Sequence, residues 1–292
     1  MPRPSWVRTL WQILPAFLLL VACESPERTP TTLLPPTHNA STANDSVPKP
    51  SPGAESSVLD YWPQWRGPLA TGVAPRGHPP TDWNETHNVR WKTALPCEGH
   101  STPIVWGERV FLTGTMEQGE PLPIPEQPSG AHNNVDSTHS LIFMVLALDL
   151  KDGSILWGKT VRDAQPHQST HESGTWASAS PVTDGERVYA FFGSNGLYCL
   201  STTGELLWEK DFGDMQVKHG HGEGASVALH GETLVVNWDH EGDSFVVALD
   251  KCTGKERWRQ PRDEPTSWAT PSTDRQSSRL GVSSRSSTVS PR

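Results

Sequence analysis

The sequence holds few cysteines and no excess of positive charge, and each shortage excludes a class of protein. Among 292 residues there are four cysteines, too few for the dense cross-linking of a small secreted scaffold. Three remain once Cys23 is assigned to the export signal described below, and an odd number implies no disulfide framework. Cys199 and Cys252 lie inside repeated segments and are expected to pack as small hydrophobic residues. The net charge of −9 leaves no basic stripe for nucleic acid.

Long apolar runs are also scarce, and the clearest one lies near the N-terminus. It extends from Leu10 to Ala22 and follows Arg3 and Arg8. The run is too short for a good membrane span, and a charged segment before it is typical of a secretory signal. The residues Leu20-Val-Ala-Cys23 resemble a bacterial lipobox. Residues 1–23 are therefore predicted to be a lipoprotein-type signal peptide with Cys23 lipidated; an ordinary signal peptide ending near a cysteine is the alternative.

Two further segments lack the apolar spacing that a folded core requires. Residues 24–60 are rich in Ser, Thr and Pro, and such a segment cannot offset its ordering entropy by burial. It is predicted to be a disordered linker, as a membrane-anchored domain would need. Residues 272–292 are rich in Ser and Arg and are predicted to be a disordered tail. The hypothesis for this tail is a truncated or frame-shifted chain.

The most regular feature is a hairpin motif that occurs three times. An apolar run meets a short polar segment with a glycine, and a second run ends on Trp157, Trp208 or Trp258. The three tryptophans lie 51 and then 50 residues apart, a period typical of propellers and solenoids. Each glycine stands where a hairpin loop requires positive φ. Asp149 and Asp250 can close their turns by accepting hydrogen bonds from backbone N–H groups. The remaining residues assigned to this structural motif are Asp149, Gly153, Gly204, Asp250 and Gly254.

A second repeated motif precedes each hairpin motif, and the two together make up one repeat unit. Trp106-Gly-Glu-Arg-Val, Asp184-Gly-Glu-Arg-Val and His230-Gly-Glu-Thr-Leu each place a glycine turn between two short strands. Four antiparallel strands in about 50 residues is the composition of one propeller blade. The sequence thus predicts an all-β propeller of four-stranded antiparallel blades over residues 61–271. About four blade-equivalents fit this length, which predicts an incomplete ring.

The opening of this region carries a resemblance to a known family. The segments Tyr61-Trp-Pro-Gln-Trp-Arg-Gly-Pro68 and Trp83 to Trp91, the glycine turns and the hairpins ending in Trp resemble the PQQ-like β-propeller repeat proteins. Among these the chain resembles BamB-like envelope lipoproteins of planctomycete type. The resemblance implies export to the periplasmic face of the envelope, a lipid anchor, and envelope or outer-membrane proteins as partners.

Candidate binding residues come from the segments that enter the first strand of each unit. These segments align so that each ends on a hydroxyl residue, and their upstream residues are expected to gather around the propeller axis, where propellers commonly bind ligands. The segment from His219 to Glu223 could also present two imidazoles and a carboxylate on one face, a ligand set that Zn²⁺ accepts. A polar loop at the channel mouth is the favoured interpretation. The predicted rim residues are His100, Trp176, His219, His221, Glu223 and Trp268.

Other charged clusters carry weaker signals. The segment from Asp239 to Asp243 could serve Ca²⁺ or catalysis, but a polar turn between two strands is expected there. His167, His171 and Glu172 are close in sequence, yet nothing in the sequence supplies an orienting partner or a nucleophile.

An enzymatic function would need more than the repeats. Quinoprotein dehydrogenases, which the repeats resemble, combine PQQ with Ca²⁺ ligands, an aspartate base and adjacent cysteines. The sequence has no adjacent cysteine pair, and no acidic residue can be matched to that base. The sequence therefore favours a non-catalytic envelope scaffold with no expected cofactor. A quinoprotein-like oxidoreductase, or a propeller that binds a small ligand or metal at its rim, is the alternative.

Overall fold

The computed structural model of the protein describes residues 58–272. The predicted signal peptide with Cys23, nearly all of the predicted linker 24–60, and the predicted tail beyond residue 272 lie outside the described residues. In the described range no helix is long and apolar enough to cross a membrane. Fourteen strands lie there: β1 (Ile104–Trp106), β2 (Arg109–Gln118), β3 (Asn134–Val135), β4 (Ser140–Asp149), β5 (Ile155–Ala164), β6 (Thr170–His171), β7 (Val182–Thr183), β8 (Arg187–Phe191), β9 (Leu197–Ser201), β10 (Leu206–Lys210), β11 (Ala228–His230), β12 (Thr233–Trp238), β13 (Phe245–Asp250) and β14 (Glu256–Pro261).

Twelve of these strands form three four-stranded sheets. The strand orders are β1-β2-β4-β5, β7-β8-β9-β10 and β11-β12-β13-β14, and all pairings are antiparallel. The first strands of the sheets adjoin in the order β1, β7, β11, so the sheets stand side by side as propeller blades. The predicted fold class is confirmed. Three complete blades lie in the described residues, and the predicted fourth unit, residues 263–271, contributes no strand there.

The middle blade is buried on both faces because successive strand residues point to opposite sides. Along β8, Val188 and Ala190 pack with residues of the first blade such as Phe143. The alternate residues, Tyr189 and Phe191, pack instead with residues of the third blade. The core therefore lies between the blades. One layer packs on each face of the middle blade.

Cys199 and Cys252 differ in their environment. Cys199 is fully buried between the second and third blades, and burial raises its pKa to about 12. Cys252 is exposed in a hairpin turn, so its predicted packing as a small hydrophobic residue is wrong. The turn orients its backbone N–H toward Asp250 Oδ1 at 3.0 Å and leaves the side chain at the surface. All three cysteines in the described range are unpaired.

The hairpin motif joins each blade to the next. A Cβ on Gly204 would lie 2.9 Å from the ring of Trp157 in the preceding blade, so the indole rests directly on the turn. The Trp157 Nε1–H also donates to Thr202 O at 3.1 Å. The same two contacts link Trp208 to the turn at Gly254 and Trp91 to the turn at Gly153. The three turn glycines have φ values of +74°, +90° and +67° in chain order.

The residue before each closing tryptophan is a β-bulge. In β10 the pairing passes from Leu206↔Leu200 directly to Trp208↔Cys199, which leaves Leu207 without a partner. The pairings of β5 and β14 shift in the same place. A bulge twists the outer strand and lets two consecutive side chains face solvent. Leu206 and Leu207 are accordingly both exposed.

The Pro-rich insertion between β2 and β4 contributes one strand to a small two-stranded sheet. Its strand β3 pairs with β6, which lies in the connection between the first and second blades. This pairing draws the insertion toward the entry segments of the blades, where the candidate site lies.

Candidate functional site

The segments entering the blades are linked by a relay of hydroxyl groups. The backbone N–H of Thr102 donates to Ser180 Oγ at 2.9 Å, and the Ser180 N–H donates to Ser226 Oγ at 2.9 Å. The Ser226 N–H then donates to Thr270 Oγ1 at 3.1 Å. The last hydrogen bond reaches Thr270 in the predicted fourth unit. This segment forms no strand, yet its hydroxyl accepts the same kind of bond as the serines of the preceding units. The relay brings equivalent positions of successive units next to one another.

Two cavities open beside this relay, and the predicted rim residues divide between them. A cavity of about 700 Å³ is lined in part by His100 and Trp176. A second cavity of about 310 Å³ is lined in part by His221, Glu223 and Trp268. Both share Thr170 and Gly174 as lining residues, so the cavities are neighbours. His219 lines neither cavity, but its ring centroid lies 5.4 Å from that of His221.

The two tryptophans of the rim are fixed by hydrogen bonds from their indoles. Trp176 Nε1–H donates to Gln168 O at 3.0 Å, and its ring packs against the core between the first two blades. Trp268 Nε1–H donates to Gly222 O at 2.8 Å while its side chain stays about half exposed. Trp268 can therefore offer an aromatic face to a ligand, whereas much of Trp176 serves packing.

Glu223 is engaged with the second blade. Its carboxylate accepts the Ser194 backbone N–H and the Ser194 hydroxyl, both at 2.5 Å. Burial raises the pKa of Glu223, and the two bonds from Ser194 act in the opposite direction. Both carboxylate oxygens already have a donor. Glu223 therefore links the channel-mouth loop, His219 to Glu223, to the turn at Gly193–Asn195.

Four histidines meet beside the smaller cavity, and we call them the histidine cluster: His132, His171, His219 and His221. The His132 ring centroid lies 4.7 Å from that of His221, 5.6 Å from that of His219 and 6.5 Å from that of His171. The His171 and His221 centroids lie 4.9 Å apart. The cluster unites residues from the insertion, from β6 and from the channel-mouth loop.

The backbone that carries this cluster is held together by hydrogen bonds. The His171 N–H donates to His221 O at 3.2 Å, and the Glu172 N–H donates to Asn133 O at 2.8 Å. Asn134 Nδ2 lies within hydrogen-bonding distance of His219 O at 2.9 Å and Gly220 O at 3.1 Å. The three segments thus form one frame, although residues 134 and 219 are 85 positions apart in sequence.

His221 has the most restricted environment of the four. Its Nε2 is buried and has no hydrogen-bond partner. Burial lowers the pKa of His221, and the neighbouring imidazoles of His132, His171 and His219 lower it further. Thr170 Oγ1, in a residue that is 2% exposed, is also buried without a partner and belongs to a residue that lines the same cavity.

Asp239 and His167, two of the other candidates, are engaged in hydrogen bonds within the blades and their connections. The Asp239 carboxylate accepts Arg262 Nε–H at 2.7 Å and Ser267 Oγ–H at 2.7 Å. His167 Nε2 lies 2.8 Å from Met215 O. With the side chains as they stand, no three His, Cys, Asp or Glu side chains within residues 58–272 are placed to hold a metal ion.

Sequence reasoning missed the participation of His132 and gave no partner to His171. His132 lies in an insertion whose course depends on the two-residue pairing of β3 with β6. Such a short strand has no detectable alternation in sequence. The sequence of the insertion gives no signal that His132 and the channel-mouth loop lie close together in space.

The sheets and their tryptophan-on-glycine contacts define a propeller-type repeat protein. Residues 117–212 and 200–277 match the PQQ_2 family, described as "Outer membrane protein assembly factor BamB". The two matches together span just over half of the 292 residues. The chain belongs to this family. No curated protein matches the sequence.

Three solved structures resemble the chain at low identity. Quinohemoprotein alcohol dehydrogenase ADHIIG from Pseudomonas putida HK5 is 19% identical, with 72% of this chain and 27% of that chain covered and a TM-score of 0.44. The quinohemoprotein alcohol dehydrogenase of Comamonas testosteroni is 12% identical, with coverages of 72% and 30% and a TM-score of 0.42. BamB from Moraxella catarrhalis is 15% identical, with coverages of 52% and 51% and a TM-score of 0.28. The chain thus spans from about a quarter to half of these proteins, and the likenesses carry no argument about activity.

Proposed function

We propose that this protein is a non-catalytic interaction scaffold of the cell envelope that binds its partner through the outer strands of its first two blades. The observation that carries the proposal is the pair of exposed aliphatic residues at the start of each of these strands, β5 and β10. They are Ile155, Leu156, Leu206 and Leu207, with exposed fractions between 36% and 46%.

The two pairs belong to one region of the surface. Trp157, next to Leu156, rests on the turn at Gly204, two residues before Leu206. Further along the strands, Arg162 and Asp211 form an ion pair of 3.5 Å. Covering a half-exposed Leu or Ile contributes roughly 1 kcal/mol, so four such side chains supply a useful share of a binding free energy. Exposed apolar side chains on neighbouring blades can together mark an interaction site.

The third blade has charged residues at the same positions, so the exposed aliphatic surface is restricted to the first two blades. Its hairpin has Glu256 and Arg257 where the other two have aliphatic pairs. Arg257 forms an ion pair with Asp250 at 2.7 Å. The outer strands β5 and β10 also end their sheets, so their outward backbone groups are available for an added strand.

Family membership supports the setting of the proposal. The family description names an assembly factor for outer-membrane proteins, which fits a partner among envelope or outer-membrane proteins. The sequence Leu20-Val-Ala-Cys23 supports export and a lipid anchor at Cys23, and we propose the periplasmic face as the location. The acidic net charge of −9 gives no support to nucleic-acid binding.

Charge insertion into the aliphatic surface tests the scaffold. The double variant Leu156→Glu with Leu207→Glu should reduce co-purification of cross-linked envelope proteins at least tenfold, because a carboxylate must be desolvated in the interface. Thr160→Glu adds one carboxylate, half the charge of the double variant, at an exposed position of β5 outside the aliphatic pair and should leave co-purification unchanged. Equal recovery from the double variant and the control would refute the proposed surface.

A second candidate is ligand binding at the rim, and the histidine cluster favours it. The cavity of about 310 Å³ beside Trp268 and His221 can admit a small molecule. A quinoprotein-like oxidoreductase is the enzymatic form of this candidate. Purified protein that shows the absorbance of a bound quinone, or binds PQQ in isothermal titration, would support it over the scaffold.

A further inference from the structure

We propose that the histidine cluster, His132, His171, His219 and His221, binds one divalent transition-metal ion. The site is independent of the aliphatic surface on the outer strands. Its ligands would be four imidazoles, a set that suits Zn²⁺, Ni²⁺ or Cu²⁺ and does not suit Ca²⁺ or Mg²⁺.

The spacing of the rings fits a single ion. Two imidazoles bound to one tetrahedral ion at Zn–N of about 2.0 Å have ring centroids about 5 Å apart. The three centroid distances that involve His221 are 4.7, 4.9 and 5.4 Å. The His132 and His219 centroids are 5.6 Å apart, and those of His132 and His171 are 6.5 Å apart. His221 is therefore the centre of the cluster.

Hydrogen bonds at Nδ1 leave the opposite ring nitrogen available for a metal. His132 Nδ1 lies 2.8 Å from Gly130 O, and His219 Nδ1 lies 3.3 Å from Ser129 O. A carbonyl oxygen can only accept, so both rings carry their proton on Nδ1 and keep a free lone pair on Nε2. This is the outer-shell arrangement that orients metal-binding histidines. His221 contributes a buried Nε2 that has no partner.

His171 can adopt the same tautomer. Its Nδ1 lies 2.7 Å from Ser173 Oγ, and a hydroxyl can accept a proton from the ring as well as donate one. Metal binding would fix the first arrangement, with Nδ1–H donating to Ser173 and Nε2 facing the ion.

The rings must turn before the site closes, since their nitrogens do not converge as they stand. The backbone frame need not move, because the hydrogen bonds of Asn134 and the pairing of β3 with β6 already hold the three segments together. Gly130 allows the approach of the insertion, since a Cβ there would lie 2.7 Å from His219 Nδ1. His132 is exposed, so a small turn of its ring that keeps the Nδ1 contact with Gly130 O meets little packing resistance.

Isothermal titration of the purified full chain with Zn²⁺ and Ni²⁺ tests the site. One equivalent should bind, His132→Ala should weaken binding at least tenfold, and Ca²⁺ should give no heat. Because His132 is exposed, its removal does not threaten the core. His78→Ala, another exposed histidine far along the chain from the cluster, is the matched control and should bind as the parent does.

Three results would overturn the site. They are the absence of Zn²⁺ and Ni²⁺ binding to the parent chain, equal affinity in the His132 and His78 variants, and Ca²⁺ binding with comparable affinity. Limited proteolysis gives a second measurement that does not depend on heat. Zn²⁺ should slow cleavage within residues 119–139 of the parent chain but not of the His132 variant, since the ion ties this insertion to the channel-mouth loop.

Discussion

Ser226 Oγ accepts the backbone N–H of Ser180 at 2.9 Å, and both residues are buried. The two serines occupy equivalent positions of successive blades. The bond therefore holds together the segments that enter the first strands of the second and third blades. Ser226→Ala should lower the free energy of unfolding by about 1–3 kcal/mol, because the Ser180 N–H would be left buried without a partner. Urea denaturation measures this loss.

A conservative variant separates the hydroxyl from the volume of the side chain. Ser226→Thr keeps the acceptor and should recover most of the stability lost in the alanine variant. If serine, threonine and alanine at this position gave the same urea midpoint, the relay would have no energetic role.

The contact of Trp157 with Gly204 predicts a larger effect than backbone conformation alone. Gly204→Ala places a Cβ 2.9 Å from the indole at a φ of +90°. Gly213 has a nearly identical φ of +92° but no atom within 4 Å of an added Cβ. Gly213→Ala should cost about 1 kcal/mol, and Gly204→Ala should cost clearly more because the indole must move.

Thermal and urea unfolding of the two alanine variants check this prediction. Equal destabilisation would mean that the tryptophan adapts without cost, and the proposed role of the indole in joining blades would then be wrong.

The buried carboxylate of Asp239 predicts a dependence of stability on acid. Burial alone would raise the pKa of Asp239, but hydrogen bonds from Arg262, Asn237 and Ser267 outweigh burial, and the pKa lies below its ordinary value. The folded state therefore gains stability above the ordinary pKa of about 3.9, and loses this gain as the pH falls through the lower pKa of the folded state.

Asp239→Asn should cost about 1–3 kcal/mol at pH 7, since the amide cannot satisfy the two Arg262 donors. The difference in unfolding free energy between parent and variant should shrink below about pH 4. A difference that is constant from pH 7 to pH 3 would contradict the assigned ion pair. Urea titrations at a series of pH values measure it.

The fold could be predicted from sequence because its determinants are local and repeated. A glycine that needs positive φ and a tryptophan 50 residues from the next one specify a hairpin and its contact with the neighbouring blade. The number of complete blades was harder to predict, since residues 263–271 keep the hydroxyl of Thr270 in the relay without forming a strand. Short segments of this kind lack the periodicity that marks a strand.

The candidate site was less accessible to sequence reasoning because it depends on contacts between distant segments. His219 and His221 were identified by their spacing, but their neighbours His132 and His171 come from an insertion and from a two-residue strand. Their meeting depends on Asn134, whose amide reaches carbonyls 85 and 86 residues away. The paired exposed leucines were likewise unpredicted, because a bulge reverses the alternation that sequence patterns assume.

Site-specific photocross-linking in cells tests the central claim, that the outer strands of the first two blades bind an envelope partner. A photoreactive residue would replace Leu156, Leu207 or, at the rim, Trp268. Positions 156 and 207 should cross-link to the same envelope protein, and position 268 should not. Cross-linking to a partner from position 268 alone would contradict the account and place the interaction at the rim.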